Sequence, residues 1–130
     1  MTGVWSQIVG KEFIEWLNTA IGLSWVDIGC GTGAFTAQVA ELCSPSHLLG
    51  IDPSEAQIGF ARKRPMAHQV TFQTGDATAL ACESSSFDVA TMALVLYFLP
   101  DPVLGVNEMK RVVKPGGIIA TYDWDVPGGG

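Results

Sequence analysis

The strongest constraint on the fold is a regular alternation, along the chain, between two spacings of hydrophobic residues. Short, nearly continuous apolar runs alternate with stretches in which apolar residues recur every three or four positions, as on one face of a helix. The predicted strands are residues 24–28, 48–51, 70–73, 87–92 and 118–124, and the predicted helices are residues 5–19, 34–43, 55–64 and 102–114. Apolar strands separated by helices predict a mainly parallel sheet that helices cover on both faces. We therefore expect a single three-layer α/β domain over residues 1–130.

The ends of the predicted helices carry residues that are typical of those positions. Ser54, followed three residues later by Gln57, matches a capping box. Asp101 precedes Pro102, which suits the first position of a helix. The segment 115–117, Pro-Gly-Gly, is expected to end the last helix, so that the fifth strand begins at Ile118.

Charge and cysteine usage argue against several classes of protein. The net charge is −6, and the only basic cluster, residues 62–64, is interpreted as a solvated helix end, so no nucleic-acid partner is expected. The longest apolar run, residues 92–99, is far shorter than the roughly 20 residues of a membrane span. Three scattered cysteines predict no disulfide framework and no metal site. We expect a cytoplasmic protein without a membrane partner.

Three acidic side chains follow or end the first three predicted strands. Asp27 lies at the carboxyl end of the first strand, Asp52 follows the second, and Asp76 follows the third. Because the carboxyl ends of parallel strands meet at one edge of a sheet, we expect these carboxylates to converge on one crevice. That crevice is predicted where the order of the strands reverses, which is where ligands bind in open α/β sheets.

Gly29, Gly31 and Gly33 form a turn between the first strand and the next helix. Glycine adopts the backbone angles of such a turn without strain, and it leaves bare backbone for a ligand to contact. The helix that begins at Ala34 adds amide donors and the positive end of its dipole. Asp52, further along the chain, is placed to accept both hydroxyls of a ribose.

The glycine turn alone leaves two classes of cofactor open. Its spacing also fits a loose dinucleotide fingerprint, so a nicotinamide-dependent oxidoreductase is one alternative. However, Asp27 directly precedes the turn, and its charge would repel a pyrophosphate while attracting an ammonium and a sulfonium. Asp76 is then placed beside the edge of a nucleobase, and the N–H of Ala77 is placed to donate to a ring nitrogen.

Five segments resemble, in order, the motifs of class I S-adenosylmethionine-dependent methyltransferases. These segments are residues 26–33, 50–54, 75–77, 87–89 and 111–117. The resemblance covers roughly residues 22–124 and is closest to the small-molecule group that includes ubiquinone and menaquinone biosynthesis enzymes. It implies a Rossmann-like methyltransferase fold, S-adenosylmethionine as the cofactor, and methyl transfer to a small-molecule acceptor.

The resemblance also implies which residues bind the cofactor. The glycine turn would contact the methionine portion through its backbone, Asp27 would hold the amino group, and Asp52 would hold the ribose. Asp76 and Ala77 would meet the adenine, and the chain near Ala93 would approach the methionyl end. The candidate cofactor-binding residues are Asp27, Gly29, Cys30, Gly31, Gly33, Asp52, Pro53, Asp76, Ala77, Ala93 and Leu94. No catalytic residue or general base is identified, and the acceptor stays open.

The seven-stranded sheet of this family implies two further strands, which form a hairpin beside the fifth strand. The sequence stops six residues after Trp124, so the fifth strand would present an exposed apolar edge, which proteins usually avoid. We expect the chain to be part of a longer protein; the alternative is a partner that covers this edge, as in a homodimer. A non-catalytic module that binds S-adenosylmethionine is a further alternative function.

Overall fold

The computed structural model of the protein describes residues 14, 15, 17–93 and 101–122. Within them, one sheet contains five strands: β1 (Ser24–Ile28), β2 (His47–Asp52), β3 (Thr71–Thr74), β4 (Phe87–Ala93) and β5 (Val113–Tyr122). The connecting helices are α1 (Ala34–Leu42), α2 (Glu55–Ala61), a 3-10 helix (Pro65–Gln69) and α3 (Pro102–Val112). The strand order is β3-β2-β1-β4-β5, and every pairing is parallel. The predicted α/β fold is confirmed; the predicted helix 5–19 lies mostly outside the described residues.

The order of the strands reverses between β1 and β4. From β1 the chain proceeds outward to β2 and β3 on one side, and it then returns to β4 and β5 on the other. The register pairs Asp27 of β1 with Gly50 of β2 and with Thr91 of β4. The carboxyl ends of these three strands therefore lie side by side, at the place where the ligand crevice is predicted.

The sheet is buried on both faces, which explains why its strands are apolar throughout. Successive side chains of β1 point to opposite faces, as in any strand. Trp25 packs in one buried cluster with Val39 of α1, and Val26 packs in another with Met109 of α3. Helices therefore cover both faces, and the expected three layers are confirmed.

The structure corrects the predicted start of the fifth strand. β5 begins at Val113, directly after α3, and not at Ile118. Residues 114–117 stand opposite the single residue Asp88 of β4, so the Pro-Gly-Gly segment forms a bulge in the strand and no break before it. A Cβ on Gly117 would lie 2.6 Å from the carbonyl oxygen of Asp88, which explains why glycine is required there.

Both predicted helix starts are confirmed. The Ser54 hydroxyl accepts a hydrogen bond from the N–H of Gln57, and Asp101 accepts from the N–H groups of Val103 and Leu104. In the described part of the chain no helix is long and apolar enough to span a membrane. The three cysteines are free thiols.

Candidate functional site

Residues 29–33, hereafter the glycine loop, turn the chain from β1 into α1. All three glycines have positive φ angles: +74° at Gly29, +56° at Gly31 and +83° at Gly33. Residues with a side chain rarely adopt these angles, which explains the glycine at each position. The loop is held against β2, because the N–H groups of Gly29 and Cys30 both donate to the carbonyl of Ile51, at 2.7 and 2.9 Å.

Gly31 and Gly33 differ in what surrounds them. A Cβ on Gly33 would lie 3.1 Å from atoms of both Ala61 and Phe72, so this glycine allows α1 to pack closely against its neighbours. A Cβ on Gly31 would meet nothing within 4 Å. The open space beside Gly31 is what a ligand that rests on bare backbone requires.

Asp52 binds the glycine loop directly. Its Oδ1 accepts the N–H of Gly31 at 3.0 Å, and its Oδ2 accepts the N–H of Ser54 at 3.0 Å. A carboxylate has about four acceptor positions, so two remain for a ligand while these contacts persist. The structure thus places the predicted ribose-binding carboxylate next to the bare backbone of Gly31.

Asp27 is a buried carboxylate between two hydroxyl donors. It is 1% exposed, and its oxygens accept hydrogen bonds from Thr36 Oγ1 at 2.6 Å and from Thr91 Oγ1 at 3.2 Å. Burial raises the pKa of Asp27 to about 7, the two hydroxyl donors oppose this shift, and the charge of Asp52 adds to it. Near neutral pH the group is therefore close to its midpoint, and a cation nearby would favour its ionised form.

Asp76 lies beyond β3 and is exposed. Its Oδ1 accepts the backbone N–H and the hydroxyl of Thr78, at 2.8 and 2.7 Å, and these bonds lower the pKa of Asp76. The link to the rest of the site runs through the backbone, because Gly75 N–H donates to the carbonyl of Asp52 at 3.1 Å. The structure therefore brings Asp27 and Asp52 within electrostatic reach of each other, and it places Asp76 further out.

The remaining candidates occupy different environments. The side chain of Cys30, within the glycine loop, packs in a buried cluster with Ile58 and Phe72. Burial, together with the charges of nearby aspartates, raises the pKa of its thiol. Ala77 is buried as well, whereas Pro53 is exposed. Ala93 is the last residue of β4, and Leu94 lies outside the described residues.

Two arginines near the loop were missed by the sequence interpretation. Arg62 Nη2 donates to the carbonyl of Phe72 at 2.7 Å, and Arg64 Nε donates to the carbonyl of Thr32 at 2.6 Å. The interpretation of residues 62–64 as a solvated helix end is confirmed for Arg62, the C-cap residue of α2, and for Lys63, since both are exposed. It is incomplete for Arg64, which is half-buried, and it did not include the carbonyl that each guanidinium binds. A basic run after a helix gives no sign in the sequence of which carbonyl it will reach.

A second unpredicted contact holds the segment that follows Asp76. Glu108 of α3 accepts the N–H of Leu80 at 2.8 Å, and Arg111 donates to the carbonyls of Leu80 and Cys82 at 3.0 and 2.8 Å. Glu108 and Arg111 also form an ion pair. Because Asp76 lies only a few residues before Leu80, this pair helps to fix the position of the outer part of the site.

The fold and the site together define a class: an α/β domain with a glycine loop where the strand order reverses, the place at which such domains bind nucleoside-bearing cofactors. The donor set fits S-adenosylmethionine on three observations. The space beside Gly31 is open, Asp52 has unused acceptor positions next to it, and Asp27 offers a carboxylate whose ionised form a cationic ligand would favour. Among the described residues, no group of three or more acidic, histidine or cysteine side chains is arranged to hold a metal ion.

Comparison with known proteins identifies the family. The model of the family described as "Methyltransferase domain" matches residues 26–121. The demethylmenaquinone methyltransferase of Lactococcus lactis is 36% identical over 110 residues, which cover 82% of this chain and 44% of that protein. That of Desulfitobacterium hafniense is 34% identical over 122 residues, which cover 90% of this chain and 48% of that protein. The chain belongs to the methyltransferase domain family, and the resemblance to class I S-adenosylmethionine-dependent enzymes is confirmed.

Solved structures agree with this assignment. The S-adenosylmethionine-dependent methyltransferase of Mesorhizobium loti is 29% identical, with a TM-score of 0.75 over 84% of this chain and 50% of that one. The [4+2]-cyclase SpnF is 30% identical, with a TM-score of 0.81 over 88% of this chain and 43% of that one. The cofactor implied by the family is S-adenosylmethionine. The chain spans about half the length of the curated relatives that it matches.

Proposed function

We propose that this chain is the S-adenosylmethionine-binding core of a methyltransferase that acts on a small molecule, of the kind that demethylmenaquinone methyltransferases use. The observation that carries the proposal is the contact of Asp52 with Gly31, which puts a charged acceptor beside the open backbone of the glycine loop. The demethylmenaquinone enzymes among its relatives support the class of acceptor.

In this proposal the chain contributes binding and orientation. The bound cofactor supplies a methyl group that its sulfonium sulfur has already activated. Asp52 holds the ribose hydroxyls, Asp27 provides negative charge below the methionyl end, and the glycine loop allows close approach. Holding the cofactor in one pose lowers the entropic barrier to in-line attack by the acceptor. A general base helps only where the acceptor carries a poorly acidic proton, and we assign none.

Transfer of a radiolabelled methyl group tests the reaction. The chain is incubated with labelled S-adenosylmethionine and with a panel that includes demethylated quinones, phenols and amines. We expect label in the quinone fraction, with release of S-adenosylhomocysteine. Binding of the cofactor without labelling of any acceptor would favour the alternative of a non-catalytic binding module. SpnF, which is named for a cyclisation, illustrates that this fold alone does not define the reaction.

Calorimetry tests the class of cofactor independently of any acceptor. S-adenosylhomocysteine and NAD are titrated into the same preparation. We expect saturable binding of S-adenosylhomocysteine alone, because Asp27, at the carboxyl end of β1, places negative charge where a pyrophosphate would lie. Saturable binding of NAD without the other ligand would establish the oxidoreductase alternative.

Alanine substitutions at Gly31 and Gly33 are expected to differ in their effects on the stability of the fold and on the affinity for the cofactor. Gly33→Ala should destabilise the fold by about 2 kcal/mol, because the new methyl group meets Ala61 and Phe72 at a positive φ. Gly31→Ala should cost about 1 kcal/mol of stability, from the backbone angle alone. It should nevertheless weaken S-adenosylhomocysteine binding, because its methyl group occupies the open space. Urea unfolding measures the stability of both variants, and calorimetry measures their affinity for S-adenosylhomocysteine. Equal affinities for Gly31→Ala and the unsubstituted chain would contradict a ligand in this space.

We further propose a cytoplasmic location, which three free thiols support.

For the edge of β5 we propose, as the alternative to further strands of a longer protein, a homodimer that forms through this strand. β5 lies at one end of the described sheet, and Ile119 on it is 38% exposed. Such an edge offers unpaired backbone groups to a second copy. Sedimentation should give a dimer that Ile119→Lys dissociates, and a monomer at all concentrations would contradict this arrangement.

A further inference from the structure

Arg64 contacts the glycine loop from outside the set of candidate cofactor residues. Besides the bond from Nε to the Thr32 carbonyl, its Nη2 donates to Thr32 Oγ1 at 3.3 Å. The guanidinium also lies 5.8 Å from the centre of the Phe60 ring, which restricts its position. One planar, charged group therefore holds both the main chain and the side chain of Thr32.

The Thr32 carbonyl is a group that the loop itself does not satisfy. Gly33 is the N-cap residue of α1, and its carbonyl accepts the first helical bond, from Ala37 at 2.9 Å. Thr32 precedes the N-cap, so its carbonyl lies outside the ladder of helical bonds. The N–H groups of Gly31 and Gly33 are bound to Asp52 Oδ1 and to the Cys30 carbonyl. Arg64 thus adds to these contacts the one that holds the Thr32 carbonyl.

We propose that Arg64 is a positioning residue: by holding Thr32, it keeps the glycine loop in the conformation that receives the cofactor. This inference rests on the proposed function. Thr32 lies between two glycines, Gly31 and Gly33, which restrict the backbone less than any other residue. Without Arg64 the loop would sample more conformations, and cofactor binding would have to order it, which lowers affinity.

Arg62 provides a matched control. Like Arg64, it lies just after α2, of which it is the C-cap residue. Its guanidinium also donates to a backbone carbonyl, that of Phe72 in β3, at a similar distance. This bond leads to β3 and not to the glycine loop. Loss of either arginine removes one charged hydrogen bond to the backbone, but only loss of Arg64 frees Thr32.

The experiment compares Arg64→Ala, Arg64→Lys and Arg62→Ala with the unsubstituted chain. Urea unfolding should give similar destabilisation for the two alanine variants. S-adenosylhomocysteine affinity, measured by calorimetry, should fall about tenfold in Arg64→Ala and less than about twofold in Arg62→Ala. Arg64→Lys should be intermediate, because an ammonium can reach the Thr32 carbonyl but lacks the fork of a guanidinium.

Hydrogen exchange of the unliganded chains tests the loop without any cofactor. The amides of Gly31 and Gly33 should exchange faster in Arg64→Ala than in Arg62→Ala. Equal exchange, or equal affinity in the two alanine variants, would overturn the positioning role of Arg64. Failure of the unsubstituted chain to bind S-adenosylhomocysteine would instead overturn the proposed function, and the exchange result would still decide whether Arg64 holds the loop.

Discussion

Replacing Asp52 with alanine is expected to weaken S-adenosylhomocysteine binding by about 1–3 kcal/mol, or roughly 5- to 150-fold. The expectation has two physical causes. The variant loses the charge-assisted bonds proposed for the ribose hydroxyls, and it also loses the acceptor that holds the N–H of Gly31. Calorimetric titration of both proteins at the same ionic strength measures the difference.

Two further variants separate these causes. Asp52→Asn removes the charge but keeps an oxygen for the N–H of Gly31, so we expect a smaller loss of affinity. Asp88→Ala removes a carboxylate from the opposite end of the sheet, where Asp88 binds the N–H of Ser24 and pairs with Lys114. That variant should lose stability and keep its affinity. Unchanged affinity in Asp52→Ala would mean that the ribose is held elsewhere.

The stability of the unliganded protein is expected to increase as the pH falls from 8 to 5, because of Asp27. The pKa of Asp27 is about 7 in the folded protein, against an ordinary value of 3.8. A raised pKa means that the folded state binds the proton more tightly than the unfolded state. Its contribution is therefore complete below the ordinary value and is lost as the pH rises through 7. The change between pH 8 and pH 5 is about 3 kcal/mol, measured by urea unfolding.

Two kinds of variant test the origin of this pH dependence: one removes the ionisable group of Asp27, and the other removes one of its hydrogen-bond donors. Asp27→Asn carries no titrating group, so its free energy of unfolding should vary much less over the same range. Thr91→Val removes a hydroxyl that stabilises the ionised form, so the transition should move to higher pH. The pKa values of Asp76, Asp88 and Glu108 are lowered, so these groups act below this range. A pH dependence that persists in Asp27→Asn would contradict the assignment.

The fold and the carboxylates of the site could be predicted because both depend on local patterns. The alternation of periods fixes strands and helices, and the parallel register then carries Asp27 and Asp52 to neighbouring strand ends. The partners of Asp27 could not be predicted in the same way. Thr91 lies 64 residues away along the chain, and only the pairing of β1 with β4 brings it to the carboxylate.

Two features were predicted incompletely or wrongly: the contacts of the arginines after α2 and the form of the Pro-Gly-Gly segment. Arg64 is 32 residues from Thr32, and its reach depends on how α2 packs against the loop, which no local pattern encodes. The Pro-Gly-Gly segment at 115–117 is typical of a break, and it becomes a bulge because Gly116 takes a φ of +82° and Gly117 fits against Asp88. Asp88, near the start of β4, accepts hydrogen bonds from the N–H and the hydroxyl of Ser24, so it acts in packing and not in the site.

A crystal structure of the chain with S-adenosylhomocysteine tests the central claim most directly. We expect ribose hydroxyls within about 3 Å of the Asp52 carboxylate, and the thioether chain along the open backbone of Gly31. We also expect the Arg64 contact to Thr32 to persist in the complex. A nucleoside bound away from these two residues, with the space beside Gly31 left empty, would contradict it.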